Sequence, residues 1–129
     1  MSKIKWLLEE TVLAIHKRQI AEHGGSDGVR DVGLLSSALA RPQNLLAYNE
    51  KTPDISSLAA SYAFGIAKNH PFIDGNKRTA LVVMRTFLLL NGSNFVATQE
   101  EKYLVFLKLA EGNMCEDELG KWIRQKLTK

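Results

Sequence analysis

Cysteine is nearly absent from this chain. Cys115 stands alone in 129 residues, which excludes an internal disulfide framework and suits a reducing compartment. Its place just before an acidic stretch reads as a helix start rather than a reactive thiol. Proline is scarce as well, with Pro42, Pro53 and Pro71 making up the set of 3, so each reads as a boundary mark. Aromatics are 8%. No long apolar run is present: residues 80–90 are interrupted by Arg85 and are too short to cross a bilayer. Residues 1–8 hold two lysines, but Glu9 and Glu10 follow at once, so no cleavable signal is evident. Strong charge of either sign is missing, the net being +3 with a pI near 9.1. That suits an anionic ligand and is too weak to imply nucleic acid. The expected compartment is the cytoplasm, with no membrane and no direct nucleic-acid partner.

What is present is an ordinary globular composition, 45% apolar and 24% charged, in a chain long enough to bury roughly two thirds of its unfolded surface. One domain over residues 1–129 is expected, and its apolar periodicity is helical. Residues 4–8 read as a short extended lead-in and residues 11–22 as an amphipathic helix ended by Gly24-Gly25. His16 and His23 lie on that helix; two histidines without a third ligand make a poor metal site, so both read as packing or surface groups. Residues 24–33 carry four glycines and read as a loop ending in an Asp31 cap. A helix over 31–41 should stop at Pro42, with a short further helix over 43–48. Asp54 or Ser56 can cap a helix over 55–69, whose Ala59, Ala60, Ser61, Ala63, Gly65 and Ala67 permit close approach and place it deep in the core. Residues 77–91 are apolar almost all round, the mark of a buried helix. An extended piece at 94–97 follows. Then Thr98 and Glu101 form a capping box opening a helix to about Ala110, and a last helix spans 116–127. Lys121, Arg124, Lys126 and Lys129 form a basic group, without the aromatic interleaving of a nucleic-acid surface.

Between the two most apolar helices lies the stretch His70-Pro71-Phe72-Ile73-Asp74-Gly75-Asn76-Lys77-Arg78. A polar cluster wedged between buried helices is costly unless its groups are paired or used. Pro71 ends the preceding helix, Gly75 permits backbone angles closed to other residues, and Phe72 pins the loop to the core. The new helix then starts with orphan N–H groups that attract anions. Lys77 and Arg78 in its first turn oppose the helix dipole, which is understandable if an anion, such as phosphate, normally lies there. Asp74 beside a phosphate calls for a hard divalent cation such as Mg²⁺, although a simple ion pair with Arg78 is an alternative. His70 is the group suited to accept a proton from an incoming hydroxyl.

His70 through Arg78 resembles the signature loop of the Fic/Doc family, His-x-Phe-x-Asp/Glu-Gly/Ala-Asn-Lys/Gly-Arg, at every position of the pattern. Glu22-His23-Gly24-Gly25, Gly28-Val29-Arg30-Asp31, Gly33-Leu34-Leu35 and Ala38 through Gln43 are similar to the N-terminal half of its short Doc, or death-on-curing, branch. The resemblance implies an all-α Fic-like domain, with the active-site loop between two central buried helices and the glycine-rich loop near its mouth. It implies His70 as the base, Asp74 as the Mg²⁺ ligand, and Gly75, Asn76, Lys77 and Arg78 on the phosphates of ATP. Pro71 and Phe72 support the loop.

Longer Fic proteins commonly carry glycine where this chain has Lys77, and they transfer AMP. Lysine in the Doc branch implies reversed ATP and transfer of the γ-phosphate, that is, a protein Ser/Thr kinase. The branch further implies a toxin that phosphorylates elongation factor Tu and stops translation. Some Fic proteins carry an inhibitory Ser/Thr-x-x-x-Glu-Gly/Asn helix; here Glu111-Gly112 has Leu107 in the hydroxyl position. Restraint is therefore expected from a separate antitoxin, a disordered segment folding onto the toxin. Adenylyl transfer is the first alternative, and a non-catalytic helical binding module the second.

Overall fold

In the computed structural model, which describes residues 3–128, the order of elements is α1 (Glu9–His23), α2 (Val32–Tyr48), α3 (Ile55–Asn69), α4 (Asn76–Leu90), β1 (Asn94–Phe95), α5 (Gln99–Ala110), α6 (Glu116–Gln125) and β2 (Leu127–Thr128). The fold is all-α apart from the two-residue strands, which pair antiparallel with Asn94 opposite Thr128. Lys129, the last member of the basic C-terminal group, lies outside the described residues. Among the described residues, no helix is long and apolar enough to cross a membrane.

Helix α3 is the axle. Ten of its residues are buried, from Ser56 to Ala67, and α2, α4 and α6 pack around it. Close approach follows from its small side chains. A Cβ on Gly65 would lie 3.3 Å from the Ala38 backbone of α2, and one on Gly120 of α6 would lie 3.7 Å from Ala60. Helix α4 contributes Ala80, Val83, Met84, Phe87 and Leu88 to the same core. The N-terminal lead-in is tied down on it: Asn91 accepts from Lys5 N at 2.8 Å and donates to Lys5 O at 3.0 Å. Leu7 N donates to the buried Tyr62 hydroxyl at 3.2 Å.

The expected caps are in place. Asp31 accepts from Leu34 N at 2.9 Å, Asp54 from Ser57 N at 2.8 Å, and Thr98 with Glu101 forms the reciprocal capping box. Helix α1 starts at Glu9 rather than at 11, and two later boundaries also differ from expectation. Pro42 does not stop α2, which runs through it to Tyr48 without a separate third helix. Proline removes one helical hydrogen bond and crowds the preceding turn, but Pro42 is buried here, and packing against the core outweighs that loss. The last helix ends at Gln125 rather than 127, because Leu127 and Thr128 pair with β1. The basic group is also partly neutralised: Arg124 pairs with Asp54 at 2.6 Å, and Lys126 pairs with Glu101.

Candidate active site

The loop between α3 and α4 is set by two left-handed backbone positions. His70 closes α3 with φ 48° and ψ 56°, and Gly75 precedes α4 with φ 75° and ψ 19°. Glycine adopts that region freely, whereas a histidine there is strained unless its surroundings hold it. They do. Arg30 donates from Nε to the His70 carbonyl at 2.7 Å and from Nη2 to the Asn69 carbonyl at 2.8 Å, capping the orphan carbonyls of α3. The backbone N–H groups of Arg30 and Asp31 both donate to Pro71 O, and Ile73 N donates to Gly28 O. Val29 and Phe72 thus form an isolated antiparallel bridge. The glycine-rich loop is therefore laid alongside the signature loop and tied to it by this bridge.

Phe72 is buried, as expected of a pin, and its ring stacks on His16 at 3.9 Å between centroids with 6° between planes. Asn76 is 8% exposed, and its amide bridges the loop. Oδ1 accepts from Phe72 N and Nδ2 donates to Phe72 O, both at 2.9 Å. The side chain that the resemblance directs to phosphate thus closes the turn around Phe72, leaving the Asn76 backbone N–H to face a ligand. Helix α4 has no side-chain cap. Among the described residues, the amides of Asn76, Lys77 and Arg78 have no acceptor.

Asp74 is exposed, and its carboxylate takes only backbone donors, Gly75 N at 2.9 Å and Ser26 N at 3.3 Å. The alternative of an Asp74–Arg78 ion pair is not formed: Arg78 Nη2 donates instead to Gly24 O at 3.1 Å. Arg78 Nε is buried without a partner, an orphan donor at the very helix end that would meet an anion. Gly25 lets the loop come this close, since a Cβ there would stand 2.7 Å from Asp74 Oδ2. Lys77 Nζ lies 5.4 Å from the Tyr103 ring centroid on α5. His70, Ile73, Asp74, Gly75, Asn76, Lys77 and Arg78 together line an open cleft of about 310 Å³.

The cleft thus brings together an exposed imidazole, a carboxylate with lone pairs to spare, two cations and a row of free amides. Among the described residues no group of three His, Cys, Asp or Glu side chains could hold a metal unaided. Asp74 could bind a hard cation only with further oxygens supplied by a ligand, as Mg²⁺ on nucleotide phosphates has. Two supporting residues were not singled out from sequence: Arg30, which lies in the glycine-rich loop, and His16, read as packing, which also reaches Asp74. Their helical and loop positions are visible in the chain, but their loop contacts span 40 and 58 residues, and no local pattern reports them.

Comparison with known proteins places the chain in a family. The sequence model of the Fic/DOC family matches residues 6–88, from the lead-in through most of α4. A "Toxin Doc" from Mycolicibacterium smegmatis is 43% identical over 74 residues, 57% of this chain and 57% of that protein. A "Protein kinase doc" from Escherichia phage P1 is 39% identical over 83 residues, 64% of this chain and 65% of that protein. The matched stretches thus cover less than two thirds of either relative.

Proposed function

The chain belongs to the Fic/DOC family, and from that premise we propose that it is a Doc-like toxin that transfers the γ-phosphate of ATP to a serine or threonine hydroxyl of a protein, elongation factor Tu, in the cytoplasm. The observation that carries this reading is one cleft shared by His70, Asp74 and the uncapped first turn of α4. The names "Toxin Doc" and "Protein kinase doc" on two relatives support it.

In the proposed reaction the target hydroxyl approaches His70, whose imidazole takes its proton as the oxygen bonds to the γ-phosphorus. The bond between the γ-phosphorus and the β–γ bridging oxygen breaks, and ADP leaves with that oxygen. The amides of Asn76, Lys77 and Arg78, with the Lys77 and Arg78 side chains, orient the phosphates and offset charge developing on them. Gly75 supplies the left-handed turn, φ 75°, that leads into these amides. Asp74 would hold Mg²⁺, which when bound neutralises phosphate charge. Arg30 and Asn76 hold the loop so that base and helix end face one another, and positioning of this kind is a large part of phosphoryl transfer.

Halted translation is the expected consequence, restrained by an antitoxin whose disordered segment folds onto the toxin. Exposed Leu89, Leu90, Tyr103 and Leu104 on α4 and α5 offer apolar surface for such a segment. Expression from a tight promoter tests the biological half of the proposal. Amino-acid incorporation should collapse with the wild-type chain and continue with His70→Ala; equal arrest by both would sink it.

A further inference from the structure

Helix α1 buries a histidine for which the proposed chemistry has no use. His16 is 2% exposed and lies with its ring flat on Phe72. A histidine in such a place is ordinarily filler, and phenylalanine or leucine would fill it without bringing polar nitrogens into the core. The ring, however, has a polar target. Its Nε2 stands 2.8 Å from the carbonyl oxygen of Asp74. A carbonyl can only accept, so Nε2 carries the proton and donates. Its Nδ1 lies 3.8 Å from Asp27 Oδ1, beyond hydrogen-bond reach. Among the described residues His16 is the donor to Asp74 O; the helical bonds of α4 begin one residue later, with Thr79 N donating to Gly75 O at 3.0 Å.

The peptide unit carries this contact to the site. The Asp74–Gly75 peptide is planar and trans, so fixing its carbonyl fixes its N–H in the opposite direction. That N–H is the group that donates to Asp74 Oδ1 at 2.9 Å. Holding the carbonyl toward α1 therefore aims the Gly75 amide at the carboxylate and orients the carboxylate. We propose that His16 is a positioning residue for Asp74, acting through the Nε2–H···O=C bond and the peptide plane, with the Phe72 stack as a separate, stabilising contact. This rests on the reading of Asp74 as the carboxylate that holds Mg²⁺ on the phosphates.

Two substitutions separate donor from ring. His16→Phe keeps a ring on Phe72 and loses the donor; His16→Gln can place its amide nitrogen where Nε2 stood and loses the stack. Thermal unfolding should rank the Phe variant above Gln, while calorimetric Mg·ATP affinity should rank Gln above Phe. The Phe variant should be weaker than wild type by about tenfold, the usual scale for losing a support behind a metal ligand. The Gly75 amide resonance, recorded without nucleotide, should move in Phe and hold its place in Gln. A Phe variant that matches wild type in both affinity and Gly75 resonance overturns the proposal, and so does a Gln variant as impaired as Phe. Wild type that binds no Mg·ATP would instead refute the reading of the site, and the Gly75 resonance would still decide whether His16 orients that peptide.

Discussion

Arg30 holds the carbonyl of His70, donating from Nε at 2.7 Å while its Nη2 holds Asn69 at 2.8 Å. His70 alone among the described non-glycine residues has a positive φ, 48°. A left-handed non-glycine residue costs about 1–3 kcal/mol, and it persists where surrounding contacts over-determine it. Arg30 supplies those contacts, so the imidazole proposed as the base is aimed by an arginine 40 residues away in sequence.

Arg30→Ala should therefore lower kcat by about tenfold to a hundredfold through misplacement of His70. The KM for ATP should change little, since the phosphate-facing amides belong to α4. Arg30→Lys should recover only part of the loss, because a single ammonium cannot reproduce the planar fork. Steady-state kinetics on the three proteins check this; an unchanged kcat in Arg30→Ala would contradict it.

Gly25→Ala tests the approach of the glycine-rich loop. The residue has φ +115°, and an added Cβ would stand 2.7 Å from Asp74 Oδ2. Either the loop or the carboxylate must move. The Mg²⁺ concentration giving half-maximal activity should rise about tenfold, as for other disturbed metal supports. A titration of activity against Mg²⁺ that overlays wild type would contradict it.

Gly65→Ala should destabilise the protein even though alanine is the better helix former by about 1 kcal/mol. Its Cβ would lie 3.3 Å from the Cα of Ala38 and 3.0 Å from Arg41 Cδ, and backbone cannot yield as a side chain can. A net loss of about 1–2 kcal/mol is expected from overpacking between α2 and α3. The urea midpoint gives the sign, and a gain would mean the two helices have slack.

The Glu101 carboxylate is held down from an ordinary value of 4.5 to about 2, first by the Lys126 ammonium and then by the Thr98 backbone N–H. A carboxylate whose pKa is lower in the folded state contributes stability that is complete above about 4.5 and disappears as pH falls to about 2. Glu101→Gln keeps an acceptor for Thr98 and loses the charge. Its melting temperature should lie below wild type at pH 7, and the gap should close between about pH 4.5 and pH 2. A gap independent of pH would show that Lys126 is not the cause.

The loop was legible because its residues act through local chemistry. Pro71 ends a helix, Gly75 takes a left-handed turn, and first-turn cations oppose the helix dipole unless an anion lies there. The caps at Asp31, Asp54 and Thr98 are equally local, and all three formed. Pro42 misled because its helix-breaking cost is local while its compensation, burial against the core, is tertiary. The 127–128 strand was missed because two residues give no period; their pairing depends on Asn94 and Phe95 lying alongside. Asn76 shows a third kind of limit. The motif gives the residue type, but an amide that bridges Phe72 and one that grips phosphate are the same letter in a sequence. His16 and Arg30 reach the loop only through the fold.

The central claim is that His70, Asp74 and the start of α4 transfer a phosphoryl group. The most direct measurement is paired labelling of elongation factor Tu and of whole lysate with Mg²⁺ and ATP labelled at either the γ- or the α-phosphate, each beside His70→Ala. Label from the γ-position alone, lost in His70→Ala, is the predicted result. Label from the α-position alone would make the chain an AMP transferase in spite of Lys77. Silence from both labels in the lysate would contradict catalysis altogether and leave a helical binding module that keeps the loop as scaffold.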